Sequence, residues 1–153
     1  MLEVEKILKE KGVNYRVVEL KGRAMTVQDV IDMSKGDIKP EEICKTIILK
    51  DKKGLVGLVL RGSDKIDFDK LRKETDRDFR VTQISEVKTL TGLEPGAVCP
   101  ILLKIPVFVD QKVLRLKHIN FGSGNHMFGL EIATENLKKL IEFITVDAVL
   151  LTK

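Results

Sequence analysis

The tightest constraint in this sequence is a pair of apolar runs, residues 45–50 and 55–60, separated by Asp51-Lys52-Lys53-Gly54. A polar stretch ending in glycine between two such runs makes a turn, and the runs become the arms of a β-hairpin. Neither Thr46-Ile47-Ile48-Leu49 nor Leu58-Val59-Leu60 alternates polar with apolar positions. A strand apolar on both faces must be covered on both sides, so this hairpin is central and needs helices or loops above and below it.

The flanking sequence supplies such covers. Val4, Ile7, Leu8 and Lys11 recur at helical spacing, with Gly12 as the stop. Residues 14–20 read as extended. Thr26 caps a helix with Val27, Val30, Ile31 and Met33 on one face, Gly36 ends it, and Pro40-Glu41-Glu42 starts a short turn. Residues 67–73 and 84–90 are predicted surface helices, with Asp69 and Lys73 as an i,i+4 pair. Further strands are predicted over 107–109, 112–116, 119–121, 127–132 and 145–150. Thr134 caps a last helix burying Leu137, Leu140 and Ile141. Hairpins require antiparallel pairs, and the helices are too few for strict βαβ alternation. The class is therefore α+β: one domain over 1–153, with a mixed, mostly antiparallel sheet surrounded by helices.

Composition narrows the function. A chain of 153 residues, 43% hydrophobic and 33% charged, closes a core without disulfides or a metal. Its apolar runs are too short for a bilayer, and Met1-Leu2-Glu3-Val4-Glu5-Lys6 carries acids where a signal peptide would not. A cytoplasmic location away from membranes is the expectation. Cys44 and Cys99 form no CxxC pair, and His118 and His126 lack metal-ligand spacing, so neither metal nor cofactor is expected. The net charge of +4 suits a polyanionic partner without requiring one.

Three segments carry chemistry. Lys45 opens the first hairpin arm, where a cation beside low-dielectric walls holds a phosphate or polarises a carbonyl better than in water. The competing reading is a solvated lysine at a strand end. Thr91-Gly92-Leu93-Glu94-Pro95-Gly96-Ala97-Val98-Cys99-Pro100 mixes glycine and proline with apolar Val98 and Cys99. That suits a stiff loop folded on the core, with backbone N–H groups facing a small polar ligand. It equally suits a plain crossover from helix to strand. Phe121-Gly122-Ser123-Gly124-Asn125-His126 is a tight turn able to nest an anion, or a hairpin turn alone. It is no dinucleotide fingerprint, because the third glycine would fall on Met127 and a strand follows.

No GxxxxGK[ST], HExxH or GxSxG occurs. Ser63 has no neighbouring base, and Asp37, Asp64, Asp67 and Asp69 read as solvated acids. Cys44 or Cys99 as a nucleophile would need a depressed pKa.

Taken in order, these segments resemble one family. They are Thr26 near the start, Cys44-Lys45-Thr46-Ile47-Ile48-Leu49-Lys50, the loop of Gly92 and Pro95 to Pro100, and Ile105-Pro106-Val107-Phe108-Val109-Asp110. Gly122-Ser123-Gly124 with Leu130-Glu131-Ile132 completes the set. Together they resemble the YbaK / prolyl-tRNA synthetase editing domains, a family of aminoacyl-tRNA deacylases. The likeness covers nearly the whole chain, and the Lys-Thr strand with the GxxxP loop is its most specific part. It implies a YbaK-like, barrel-like sheet and an ester hydrolase that clears wrong amino acids from tRNA. The family's functional lysine maps to Lys45, with Thr46 beside it. Its aminoacyl-holding loop maps to Gly96, Ala97, Val98, Cys99 and Pro100. The glycine-rich turn maps to Gly122 and Gly124, and a pocket histidine of some members to His126. Cys99, and Ile101-Leu102-Leu103 after the loop, depart from the family's smaller residues and reshape the pocket.

On this resemblance the substrate is the charged 3′ end of a mischarged tRNA, with an aminoacyl-tRNA synthetase as a further partner and no DNA. Lys45 would fix the terminal phosphate or ester carbonyl, the loop would hold the aminoacyl part, and water would attack with help from the vicinal ribose hydroxyl. Because an apolar pocket discriminates by only about 1–3 kcal/mol per methylene, small amino acids such as alanine, serine, cysteine or proline are the expected targets. Two other readings stand beside this one. One is a catalytically silent module that docks on tRNA or a synthetase, and the other is a cysteine-dependent enzyme.

Overall fold

The computed structural model describes residues 1–34 and 38–151, so the expected helix stop Gly36, and Asp37, lie outside the described residues. Helix α1 (Glu3–Glu10) leads to strand β1 (Tyr15–Glu19) and helix α2 (Val27–Met33). A 3₁₀ turn at Pro40–Glu42 enters the hairpin, β2 (Cys44–Asp51) and β3 (Gly54–Arg61). Then come α3 (Phe68–Thr75), β4 (Arg80–Val81), α4 (Ile84–Thr91), a 3₁₀ turn at Pro100–Leu102 and β5 (Val107–Asp110). Strands β6 (His118–Gly122) and β7 (Phe128–Ala133), helix α5 (Leu137–Leu140) and β8 (Ile144–Val146) complete the chain.

The hairpin is central, as its apolar faces demand. Its strands pair antiparallel from Cys44 opposite Arg61 to Asp51 opposite Gly54. The sheet order is β4-β2-β3-β5-β8, with β3–β5 and β5–β8 parallel, so the sheet is mixed. One face carries Leu49, Val56, Leu58 and Leu60 against Leu71 of α3 and Phe79. On the other, Cys44, Val59, Val107 and Val109 meet Ile119 and Leu130 of a second sheet, with Val4 and Leu8 of α1 in the same core. Fully buried aliphatic side chains of this kind stabilise by roughly 1.5–3 kcal/mol each.

The second sheet is antiparallel, in the order β1-β7-β6. The α+β class holds, but the strands fall into two open sheets and do not close as a barrel. The small sheet's inner face packs Ile119, Phe121, Leu130 and Ile132 into the shared core. Its outer face carries the alternate residues, Val18 among them. Val18, with Leu20 and Ala24, is covered by Val30 and Met33 of α2 and by Ile38.

Several expectations fail locally, each for a visible reason. Residues 112–116 form a 3₁₀ turn at Val113–Arg115, not a strand. The Asp110 carboxylate accepts from the Lys112 N–H, and the Lys112 carbonyl then accepts from Arg115, so local hydrogen bonds outcompete pairing. The final strand stops at Val146 because the next N–H groups turn to other acceptors: Asp147 to Glu74, Ala148 to Asp110 and Leu150 to Lys65. Thr134 starts a 3₁₀ turn, and its buried hydroxyl has no partner among the described residues, so it does not cap α5. Asp69 pairs with Arg72, one residue short of the expected Lys73. Asp64 is no solvated acid: it is wholly buried and bound by the Arg61 guanidinium at 2.7 and 3.0 Å. Asp67 instead caps α3, accepting from the N–H groups of Asp69 and Lys70.

Candidate active site

The outer face of the small sheet is hollow because two of its positions lack side chains. Gly122 of β6 lies opposite Gly129 of β7 in the same row. A Cβ at Gly122 would meet the Val98 carbonyl at 2.6 Å, so glycine there lets the 94–98 loop approach the sheet. Gly96, at φ 85°, closes the other side of that loop, since a Cβ there would sit 2.7 Å from the Met25 carbonyl. The loop is thus wedged between the small sheet and the start of α2.

A cavity of about 460 Å³ remains among these parts, within the usual range for small-molecule sites. Thr26, Val27 and Val30 line it from the segment of α2. The N-terminal end of β2 contributes Cys44, Lys45 and Thr46, and the loop contributes Gly96, Ala97 and Val98. Asn120 and Gly122 of β6 line it too, as does His126. Among the described residues no helix is long and apolar enough to cross a membrane. Among the described residues no three His, Cys, Asp or Glu side chains group as a metal site would require.

Lys45 is half-buried, and among the described residues its ammonium has neither ion pair nor hydrogen bond. Burial pulls its pKa below the ordinary lysine value; the Asp64 carboxylate opposes that shift and Lys65 adds to it. Such a desolvated cation is predisposed to take an anionic or strongly polar oxygen. Thr46 beside it buries its hydroxyl without a partner among the described residues.

In the loop, the Ala97 N–H goes to the Glu94 carbonyl at 3.1 Å. The N–H groups of Gly96 and Val98 have no acceptor among the described residues. His126 Nε2 lies 2.6 Å from the Pro95 carbonyl, which can only accept, so that nitrogen carries the proton and the ring fastens the loop.

Three expected site residues stand apart from the lining. Cys99 is fully buried in the main core, and Pro100 starts the 3₁₀ turn that follows the loop. Gly124 donates from its N–H to the Ala97 carbonyl at 2.9 Å, tying the two loops together. Three N–H groups of the 122–127 turn are engaged: Gly124 with Ala97, Asn125 with Ser123 Oγ and Met127 with Asn125 Oδ1. The Gly124 bond thus fastens this turn to the 94–98 loop. Burial pushes the Cys44 and Cys99 thiols up to about 12 each, which opposes a cysteine nucleophile at neutral pH.

Asn120 was not singled out from sequence. It is buried, and its amide nitrogen donates to Glu131 at 3.1 Å while its amide oxygen has no partner among the described residues. A lone asparagine between Ile119 and Phe121 looks like any outward position of an amphipathic strand, so sequence carried no signal for it.

The sequence matches the family model of the aminoacyl-tRNA editing domain over residues 22–140. Among solved structures, a hypothetical protein superposes with a TM-score of 0.83 at 25% identity, covering 96% of this chain and 99% of that one. A candidate trans-editing enzyme for prolyl tRNA synthetase superposes at 0.80 with 20% identity, covering 97% and 95%. A candidate signal transduction protein from Marinobacter aquaeolei VT8 superposes at 0.74 with 21% identity, covering 97% of this chain but 30% of that one. The last two likenesses speak for the fold alone.

Proposed function

Because the chain belongs to the aminoacyl-tRNA editing domain family, we propose that it is a free-standing deacylase that hydrolyses a small, wrongly attached amino acid from the 3′ end of tRNA. One observation carries the reading. Lys45, half-buried and without an ion pair among the described residues, lines the same cavity as Gly96 and Val98, whose N–H groups have no acceptor among those residues. These are a cation and donors without acceptors, which is what an ester with a neighbouring phosphate lacks.

In this reading Lys45 holds the terminal phosphate or the ester carbonyl. The N–H groups of Gly96 and Val98 receive the carbonyl oxygen as it gains negative charge. Thr46, Ala97 and His126 bound the acyl group, and Gly122 keeps room for it. A water adds its oxygen to the carbonyl carbon, giving one proton to the medium, with the vicinal ribose hydroxyl of the substrate orienting it. The bond from carbonyl carbon to ribose oxygen then breaks, and that oxygen takes a proton. Free amino acid and uncharged tRNA leave. No protein side chain acts as nucleophile, and positioning supplies most of the acceleration. A synthetase that makes the mischarged tRNA is the natural partner, in the cytoplasm.

The test is Lys45→Ala on a panel of mischarged tRNAs under multiple turnover. Wild type should release a small amino acid, and the variant should lose roughly 100-fold or more with an unchanged circular dichroism spectrum. Full activity in the variant would overturn the role of Lys45. Binding of the panel without release by wild type would make the protein a docking module and not an enzyme.

A further inference from the structure

A charged row crosses the small sheet and ends inside the cavity. On adjacent strands Arg16, Glu131 and Asn120 lie opposite one another in register. The Arg16 guanidinium grips Glu131 at 2.8 and 3.2 Å, and the Asn120 amide N–H goes to Oε2, the carboxylate oxygen that Arg16 Nη2 also binds. Glu131 can only accept, so it fixes which way the Asn120 amide points. The nitrogen must face Glu131, and the oxygen is left facing the other way. Asn120 is 3% exposed, it lines the cavity, and its Oδ1 has no partner among the described residues. A buried acceptor of this kind is costly unless a ligand satisfies it.

Thr46 Oγ1, also buried and unpartnered, lines the same cavity. Among the described residues that line that cavity, none carries a carboxylate. The two unpartnered acceptors described there are neutral oxygens, one of them polarised from behind by Glu131. This arrangement suits a compact cationic donor with several N–H bonds.

We propose that Asn120 is a specificity residue whose amide oxygen accepts from the free α-ammonium group of the aminoacyl moiety, so that esters with a blocked amine are refused. This rests on the deacylase reading for the identity of the substrate, but not on catalysis itself. An acyl chain whose amine is acetylated has lost two N–H donors and gained bulk at that point. A chain with no amine leaves Asn120 Oδ1 and Thr46 Oγ1 buried and unsatisfied.

The experiment uses two readouts on the full chain, for wild type, Asn120→Ala and Glu131→Gln. The first is hydrolysis of alanyl-tRNA against N-acetylalanyl-tRNA. The second is binding of the non-hydrolysable 3′-alanylamido and 3′-propionylamido derivatives of 3′-deoxyadenosine, which differ only in the amine. Wild type should favour the free-amine member of each pair. Asn120→Ala should lose roughly 10- to 100-fold on that member alone, leaving the amine-free analogue unchanged. Glu131→Gln should narrow the preference, since its own amide can turn a donor towards Asn120 and release the lock. Equal losses on both members would mean a merely structural role and overturn the assignment. So would an undiminished preference in Asn120→Ala. Amine-selective binding without hydrolysis would sink the deacylase reading and keep Asn120. Hydrolysis indifferent to the amine would do the reverse, and wild type that bound neither analogue and hydrolysed neither ester would overturn both.

Discussion

At the scale of single residues, the cavity depends on atoms that are absent as much as on those present. Gly92 and Gly96 flank one loop and both hold left-handed backbone, at φ 76° and 85°. An alanine at Gly92 meets nothing within 4 Å, whereas at Gly96 it meets the Met25 carbonyl at 2.7 Å. Gly92→Ala should therefore cost only the left-handed conformational penalty, about 1–2 kcal/mol. Gly96→Ala carries that penalty and must also push the loop off the start of α2. Chemical denaturation should show the larger loss for Gly96→Ala, and deacylation should fall in that variant while surviving in Gly92→Ala. Equal behaviour of the two would mean that the wedge at Met25 does not shape the site. Lys45 and Gly96 were legible in sequence because a charge in an apolar run, and a glycine between prolines and apolar residues, are locally odd. Asn120 was not, because its meaning depends on a carboxylate on the next strand and on the chain at Ile43 that bridges to it.

At the scale of elements, the hairpin was readable because its turn and its apolar arms point to one answer. Elements failed where side chains competed for the backbone. Asp110 rolls residues 112–115 into a turn, and no periodicity of apolar residues announces that. The hairpin turn itself shows such a side chain working in favour of the fold. The Asp51 carboxylate accepts from the N–H groups of Lys53 and Gly54 and takes the Arg77 guanidinium at 2.6 and 2.7 Å. Arg77 in turn lies 4.4 Å above the Phe79 ring. The Arg77 contact, with the turn N–H groups, holds the Asp51 carboxyl at about 2. A folded-state pKa below the unfolded one means that the charged form favours folding. That contribution is complete above about pH 4 and drains away as pH falls through about 2. Asp51→Asn keeps an acceptor for the turn but discards the charge. It should be less stable than wild type at neutral pH, and the gap should close between pH 4 and 2. Urea melts at stepped pH would show this, and a gap constant with pH would refute the ion-pair account.

At the scale of the whole molecule, the family match over residues 22–140 is shorter than the folding unit. Helix α1 lies before it, yet Val4 and Leu8 are wholly buried in the main core. Strand β1 also lies before it, and carries the Arg16 that grips Glu131 behind the cavity. Beyond residue 140, Val146, Ala148 and Val149 are buried against β3, α3 and Phe108, and β8 covers the edge of β5. Residues outside the match thus close both cores and one edge of each sheet. Burying a valine or leucine contributes roughly 1.5–3 kcal/mol. Removing Val4, Leu8, Val13, Val18, Val146 and Val149 together withdraws on the order of 10 kcal/mol, comparable with the whole stability of a domain this size. A fragment of residues 22–140 should therefore lack a cooperative thermal transition and bind neither adenosine analogue. The chain shortened only at its end, to residues 1–149, should keep both, because Leu150 and Leu151 are exposed. A fragment 22–140 that melts cooperatively would show that the fold needs no flanking segments, and one that also preferred the alanylamido analogue would show that Arg16 is not needed to orient the Asn120 amide.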